Sequence, residues 1–241
     1  MDEKVPKILM IVEGAKTDVK LMTHLLNVYG ISQNHEIVSY NTNIYTLYRE
    51  MFADGDPGSM DILQILKARE NDPNKKKIFD EIYSDILLIF DLDPQDPDYS
   101  ATKILEMQEY FTESSDMGKM YLNYPMVEAF YHMESIPDDN YPRRFATLEE
   151  LKEGKYKSRV NKENRNHDYN KFAVNREECN IVIKQNIEKG FLLIDDIKES
   201  MLPDLHKILV KQIDSMETLK KVFVLCSCVY YIVEYNYKLI E

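Results

Sequence analysis

Cysteine is scarce in this chain of 241 residues. Cys179, Cys226 and Cys228 are too few and too unevenly spaced for a disulfide framework. Positive charge is short too: 30 Lys and Arg stand against 42 Asp and Glu, a net charge of -12. Such a balance excludes a chain that coats nucleic acid wholesale, so any phosphate contact must come from a local basic patch or through bound cations. Long apolar runs are missing, and no stretch reaches membrane-spanning length without charges, so no membrane partner is expected. The charged start Met1-Asp2-Glu3-Lys4 gives the expectation of no signal peptide, and with the few cysteines it points to a reducing, cytoplasmic setting. A Gly-x-x-x-x-Gly-Lys-Ser/Thr loop is absent, which excludes a built-in P-loop ATPase. Internal repeats and low-complexity tracts are absent as well.

What is present begins with a strand. Asp85-Ile86-Leu87-Leu88-Ile89-Phe90 is an apolar run bounded by acids and reads as a buried parallel strand. It delivers Asp91-Leu92-Asp93 and is stopped by Pro94, Asp96, Pro97 and Asp98. In open α/β sheets, ligands sit at the carboxyl ends of strands. Two carboxylates two residues apart share one side of an extended chain and repel each other, so a cation such as Mg²⁺ fits between them. The plain alternative is a pair of solvated loop acids.

A second run, Lys7-Ile8-Leu9-Met10-Ile11-Val12, ends in Glu13-Gly14-Ala15-Lys16-Thr17-Asp18. Val19, Leu21, Met22, Leu25 and Leu26 then recur at helical spacing, with Gly30 suited to the helix end. Glu13 therefore sits at a strand-to-helix turn, Gly14 lets the backbone bend there, and Thr17 or Asp18 is expected to cap the helix. Two strand ends now each carry an acid, and both can face one metal ion.

Further along, the pattern predicts a strand at 35–40, a helix over 44–52 ended by Asp54-Gly55-Asp56-Pro57-Gly58, and a helix over 61–70. A polar connector follows at 71–77, then a helix over 99–111 and a strand at 119–122. Strand–helix alternation implies a parallel sheet with helices on its faces. Pro125 suits the first turn of a helix carrying Glu128, a site acid or a helix-start acid favoured by the macrodipole. His132, one turn on, reads as a core or surface histidine.

From Ser135 the texture shifts, and Ile136–Pro142 reads as a linker. The division expected is residues 1–135, a metal-binding domain, and 136–241, a mainly helical region. Within the latter, 151–176 is the one basic stretch. Lys155, Lys157, Arg159, Lys162, Arg165 and Lys171 are its core, with Tyr156, Tyr169 and Phe172 interleaved. It reads as a phosphate-backbone track with stacking surfaces, or as a solvated helical face with buried aromatics. Helices are expected over 177–188, with Gly190 a stop, and over 192–201, 205–212 and 216–237. The last is apolar around much of its circumference, buried in the domain or lining an interface. That surplus gives the expectation of a homodimer through Val222–Val233. Cys226 and Cys228 read as buried thiols.

Val12-Glu13-Gly14, then Lys16-Thr17-Asp18, then a strand-borne Asp91-Leu92-Asp93, resembles the TOPRIM domain of topoisomerases, bacterial primases, ribonuclease M5-like enzymes and OLD-family nucleases. The resemblance covers roughly the first 135 residues. It implies an α/β, Rossmann-like parallel sheet flanked by helices. Glu13, Asp91 and Asp93, with Glu128, would bind Mg²⁺ or Mn²⁺; for a lysine beside the scissile phosphate, Lys16 is the positional choice, since it lies on the same turn as Glu13. Gln95 stands where topoisomerases often carry a third acid, and Asp96 is the candidate substitute. The activity implied is hydrolysis of DNA or RNA phosphodiesters, including tRNA. The small stand-alone relatives further imply a toxic effector of phage defence working with a separate ABC-type ATPase. Two rivals stand beside it: a haloacid-dehalogenase-type phosphatase, from Phe90-Asp91-Leu92-Asp93, and a non-catalytic interaction module.

Overall fold

A computed structural model describes residues 7–52, 55–196 and 200–241. The start Met1-Asp2-Glu3-Lys4, Asp54 of the breaker cluster, and 197–199 of the helix expected over 192–201 lie outside the described residues. Strand β1 (Ile8–Val12) is wholly buried, as its unbroken apolar run requires. It leads through α1 (Thr17–Val28) to β2 (His35–Ser39). The helices α2 (Ile44–Phe52), α3 (Ile62–Arg69) and α4 (Pro73–Lys76) come next. The expected connector at 71–77 is thus partly helical. Asp72 caps α4 by accepting from the Asn74 N–H at 2.8 Å, and Pro73 takes the first helical position.

Strand β3 (Asp85–Asp91) then crosses the core, and α5 (Ala101–Tyr110) returns to the short β4 (Thr112–Glu113) and to β5 (Gly118–Tyr124). The sheet order is β2-β1-β3-β5-β4. β1, β2, β3 and β5 are parallel, and β4 runs antiparallel at the edge. The architecture is α/β with a mostly parallel central sheet flanked by helices, consistent with a Rossmann-like fold.

After β5 the chain makes a 3-10 turn, Val127–Tyr131, where the sequence suggested an α-helix starting at Pro125. The 136–142 stretch is not a free linker, since Asp138 and Tyr141 are buried. Beyond it lie β6 (Phe145–Thr147), α6 (Leu148–Lys152), α7 (Tyr156–Glu163) and α8 (Arg176–Leu193). Gly190 does not stop α8. It sits inside the helix, where an added Cβ would lie 2.5 Å from Pro203 Cγ and from the Tyr230 hydroxyl.

The expected helix over 216–237 is the largest correction. One helix, α9 (Leu205–Leu219), ends at Lys220 in a left-handed conformation, φ 54°. The chain then forms β7 (Lys221–Phe223) and β8 (Leu225–Cys226), and only α10 (Tyr230–Asn236) is helical. β7 pairs with β6, and β8 adds antiparallel to β5. Val222, Val224, Leu225, Val229, Tyr230 and Ile232 are all buried in the chain's own core. Most of the segment on which a homodimer was expected is therefore internal, with Tyr235 and Tyr237 beyond it exposed.

Candidate metal centre

β1 and β3 are neighbours, and the connection that leaves β1 runs to β2 on one side while the one that leaves β3 runs to β4 and β5 on the other. Such a switch point opens a crevice outside the strand ends. Glu13 is the first residue beyond β1, and Asp91 is the last residue of β3. The parallel register pairs Val12 with Ile89, and the Glu13 N–H continues the ladder to the Ile89 carbonyl at 3.0 Å. Glu13 Oε2 in turn accepts from the Asp91 N–H at 3.1 Å. Asp93 turns into the left-handed region, φ 41°, a conformation that aspartate tolerates better than most residues. Its N–H bonds the Pro125 carbonyl at 3.1 Å. One carboxylate oxygen from each of Glu13, Asp91 and Asp93 lies within 4.8 Å of the other two.

Neighbours fix these carboxylates. Asn123, paired with Asp91 in the β3–β5 register and fully buried, offers Nδ2 to Asp91 Oδ1 at 3.4 Å. Gln95, where a third acid was sought, donates Nε2 to Asp93 Oδ1 at 2.8 Å. Asp96 is not in the group of acids that converge within 4.8 Å. Its oxygens accept from Asn43 Nδ2 at 2.6 Å and the Asp98 N–H at 2.8 Å, which shapes the loop.

The acidic cluster is wider than the sequence motif. Asp18, on the first turn of α1, is buried, and its Oδ1 has no hydrogen-bond partner. Neither it nor Thr17 caps the helix: Lys16 occupies the N-cap without a side-chain bond. Gly14 is needed for closeness, since a Cβ there would lie 2.6 Å from Asp18 Oδ2. Glu128 is also buried, with Oε2 unpartnered, and its Oε1 meets Lys157 Nζ at 3.2 Å.

Burial, then the charge of Asp93, pushes Glu13 up to about 8. Burial, then the charges of Glu13 and Asp18, holds Asp91 well above the carboxylate range. Asp93 is raised by burial, against the opposing effects of the Gln95 bond and Lys157. Asp18 is raised to about 6, chiefly by burial, with Glu128 adding to it. Lys157 loses from burial, yet Glu128, Asp91 and Asp93 hold its pKa above the ordinary lysine range.

Lys157 is therefore the cation at this cluster. Lys16, the positional guess from the sequence, is exposed at the start of α1 and forms no ion pair among the described residues. The rest of the basic stretch faces elsewhere. Lys155 pairs with Glu153 at 2.7 Å, Arg159 with Glu150 at 2.7 Å, Arg165 with Glu178 at 2.9 Å and Lys171 with Asp168 at 3.7 Å. Lys162 alone of the six has no acidic partner among the described residues. Tyr156 and Phe172 are buried and offer no open stacking face. The expected track thus has most of its charge answered within the fold.

Sequence reasoning missed Asp18 and Asn123 as site residues and assigned Lys157 to the track. Asp18 carried a signal in its helix-start position, but the burial that makes it unusual is a tertiary fact.

Fold and site together define an α/β chain with a buried carboxylate cluster at a sheet switch point. No family model, curated protein or solved structure matches the chain.

Proposed function

We propose that the chain is a divalent-metal-dependent phosphodiesterase acting on nucleic acid, with a TOPRIM-type centre. One observation carries this reading: Glu13, Asp91 and Asp93 converge within 4.8 Å from two adjacent strand ends, where burial raises all three pKa values. Mutual repulsion on that scale suits residues that await a cation. The donor set is entirely carboxylate oxygen, which matches Mg²⁺ or Mn²⁺ rather than a soft metal. The unpartnered oxygens of Asp18 and Glu128 are further hard donors on the same face. The parallel order β2-β1-β3-β5 and the Glu-Gly turn after β1 agree with the TOPRIM resemblance.

Glu13, Asp91 and Asp93 would hold the ion, with Asp18 and Glu128 beside it. A bound divalent ion would polarise the scissile phosphate and lower the pKa of an attacking water. Asn123 and Gln95 keep the Asp91 and Asp93 carboxylates turned into the cluster. Lys157, held by Glu128, presents a positive charge at the rim where charge builds on the phosphate oxygens. The phosphatase reading leaves Glu13 without a role, and this geometry gives it one.

Purified protein incubated with Mg²⁺ or Mn²⁺ against plasmid, single-stranded DNA, total RNA and a tRNA pool tests the reading. Cleavage of at least one substrate is expected, abolished by chelator and lost in Glu13→Gln, Asp91→Asn and Asp93→Asn proteins of native circular dichroism. Undiminished cleavage in any two of these variants contradicts it.

A further inference from the structure

A cleft of about 410 Å³ opens between α1 and the 161–171 segment. Its size falls in the range of small-ligand sites, roughly 300–1,000 Å³. From α1 come Lys16, Thr17 and Lys20; the opposite side holds Tyr131, Tyr169 and Asn170. Lys16 and Lys20 are one turn apart and share a helix face. Neither has an acidic partner among the described residues; Lys20 donates only to Asn170 Oδ1. The start of α1 adds its own positive end, with no side chain capping it.

The opposite wall is aromatic. Tyr131 and Tyr169 stack with centroids 4.2 Å apart and planes 8° apart. Tyr131 is 4 % exposed and lines the cleft, yet its hydroxyl forms no hydrogen bond among the described residues. The Tyr169 hydroxyl is likewise unpartnered. One acid, Asp168, also lines the wall, but its Oδ1 accepts from the Asn170 N–H at 2.9 Å and from Asn170 Nδ2 at 3.0 Å. Its Oδ2 faces Lys171 at 3.7 Å.

Two connections join the cleft to the carboxylate cluster. On α1, Thr17 of the cleft precedes Asp18 of the cluster. On α7, Asn161 lines the cleft one turn beyond Lys157, which reaches Glu128.

We propose that this cleft seats an unpaired nucleotide beside the scissile bond, its phosphate on Lys16, Thr17 and Lys20 and its base against Tyr169, which Tyr131 backs from within. The preferred substrate is then a single-stranded segment, of either sugar, rather than continuous duplex. This rests on the phosphodiesterase reading and deepens it. Stacking on aromatic rings is how proteins hold unpaired bases, and a paired base inside a duplex cannot offer its face. The paired state of Lys155, Arg159, Arg165 and Lys171 agrees, since most of the charge in the one basic stretch is already answered within the fold instead of facing a duplex backbone.

Fluorescence anisotropy with full-length protein in Ca²⁺ tests the assignment, using labelled eight-nucleotide single strands of DNA and RNA and a matched hairpin duplex. The single strands should bind at least tenfold more tightly than the duplex, and the two sugars report which source is favoured. Lys16→Glu/Lys20→Glu and Tyr169→Ala should each lose at least tenfold affinity, with divalent-ion affinity by calorimetry unchanged. Lys211→Glu, an exposed charge reversal on α9, should bind as wild type. The double lysine variant should also flatten the salt dependence by about 1.4 log-log units, roughly 0.7 for each phosphate that a lysine no longer neutralises. Equal affinity for duplex and single strand, or wild-type binding by the lysine variant, overturns the assignment. So does absence of oligonucleotide binding. In that last case, metal-dependent hydrolysis of bis(p-nitrophenyl) phosphate by the wild type leaves the phosphodiesterase reading standing, and its absence takes that reading down too.

Discussion

At the residue scale, Glu13 has the clearest consequence for solution behaviour. Its pKa is raised by burial and Asp93 from 4.5 to about 8. Between those values the folded chain keeps a proton that the unfolded chain has released. Stability must therefore fall as pH rises through that window. The raised Asp91 and Asp93 act in the same direction. A divalent ion replaces those protons and should reverse the trend. Melting temperature followed from pH 5 to pH 8 is expected to fall in EDTA and to fall less, or rise, in Mg²⁺; parallel curves would refute the coupling. His132 sets the acid side. Burial pushes it down to about 2, so the ring is neutral, bonded to Tyr156 at 3.1 Å and Glu163 at 2.8 Å. Its contribution is lost as pH falls below the ordinary histidine range near 6.5. The three acids were legible in the sequence because strand ends announce themselves by where an apolar run stops. Lys157 was not, because it lies far along the chain from Glu13 and only the packing of α7 against the 127–131 turn joins them.

At the element scale, β1 and β3 followed directly from unbroken apolar runs, and α1, α2 and α3 from helical periodicity; the structure adds Asp61 and Ser100 as the caps of α3 and α5. The C-terminal strands did not. Val222 to Val229 is a short apolar run, and periodicity cannot separate a buried strand from a buried helix at that length. The signal that ends α9 is Lys220 in a left-handed turn, where glycine is the usual marker. Gly190 misleads for the complementary reason: inside a helix, glycine also marks close packing. Gly190→Ala tests this. Helix propensity alone would favour alanine by roughly 1 kcal/mol. The clash with Pro203 and Tyr230 instead predicts a net destabilisation of about 1–3 kcal/mol from overpacking. Urea denaturation at constant m decides the sign, and a stabilised variant would show that the packing around Gly190 gives way.

At the scale of the whole molecule, one buried cluster runs through the sheet, α1, α8, α9 and the C-terminal strands. β8 closes on β5 immediately behind the metal-site strand, so the C-terminal residues complete the sheet that carries the acids. Tyr231→Asp separates this from the interface first expected there. Tyr231 is 5 % exposed and bonds His35 Nε2 at 2.6 Å. Its replacement should destabilise the chain by on the order of 3–5 kcal/mol, with a buried charge adding to the cavity. Chemical denaturation paired with light scattering reads this as a lower midpoint at unchanged mass. A change of mass with an unchanged midpoint would restore the interface. The account as a whole turns on whether a divalent ion sits at the β1–β3 switch point. Anomalous diffraction from Mn²⁺-soaked crystals answers that directly. The account predicts a peak bridging the carboxylates of Glu13, Asp91 and Asp93 at about 2.0–2.2 Å, the range of small hard cations on oxygen. No peak there at saturating Mn²⁺ would contradict it.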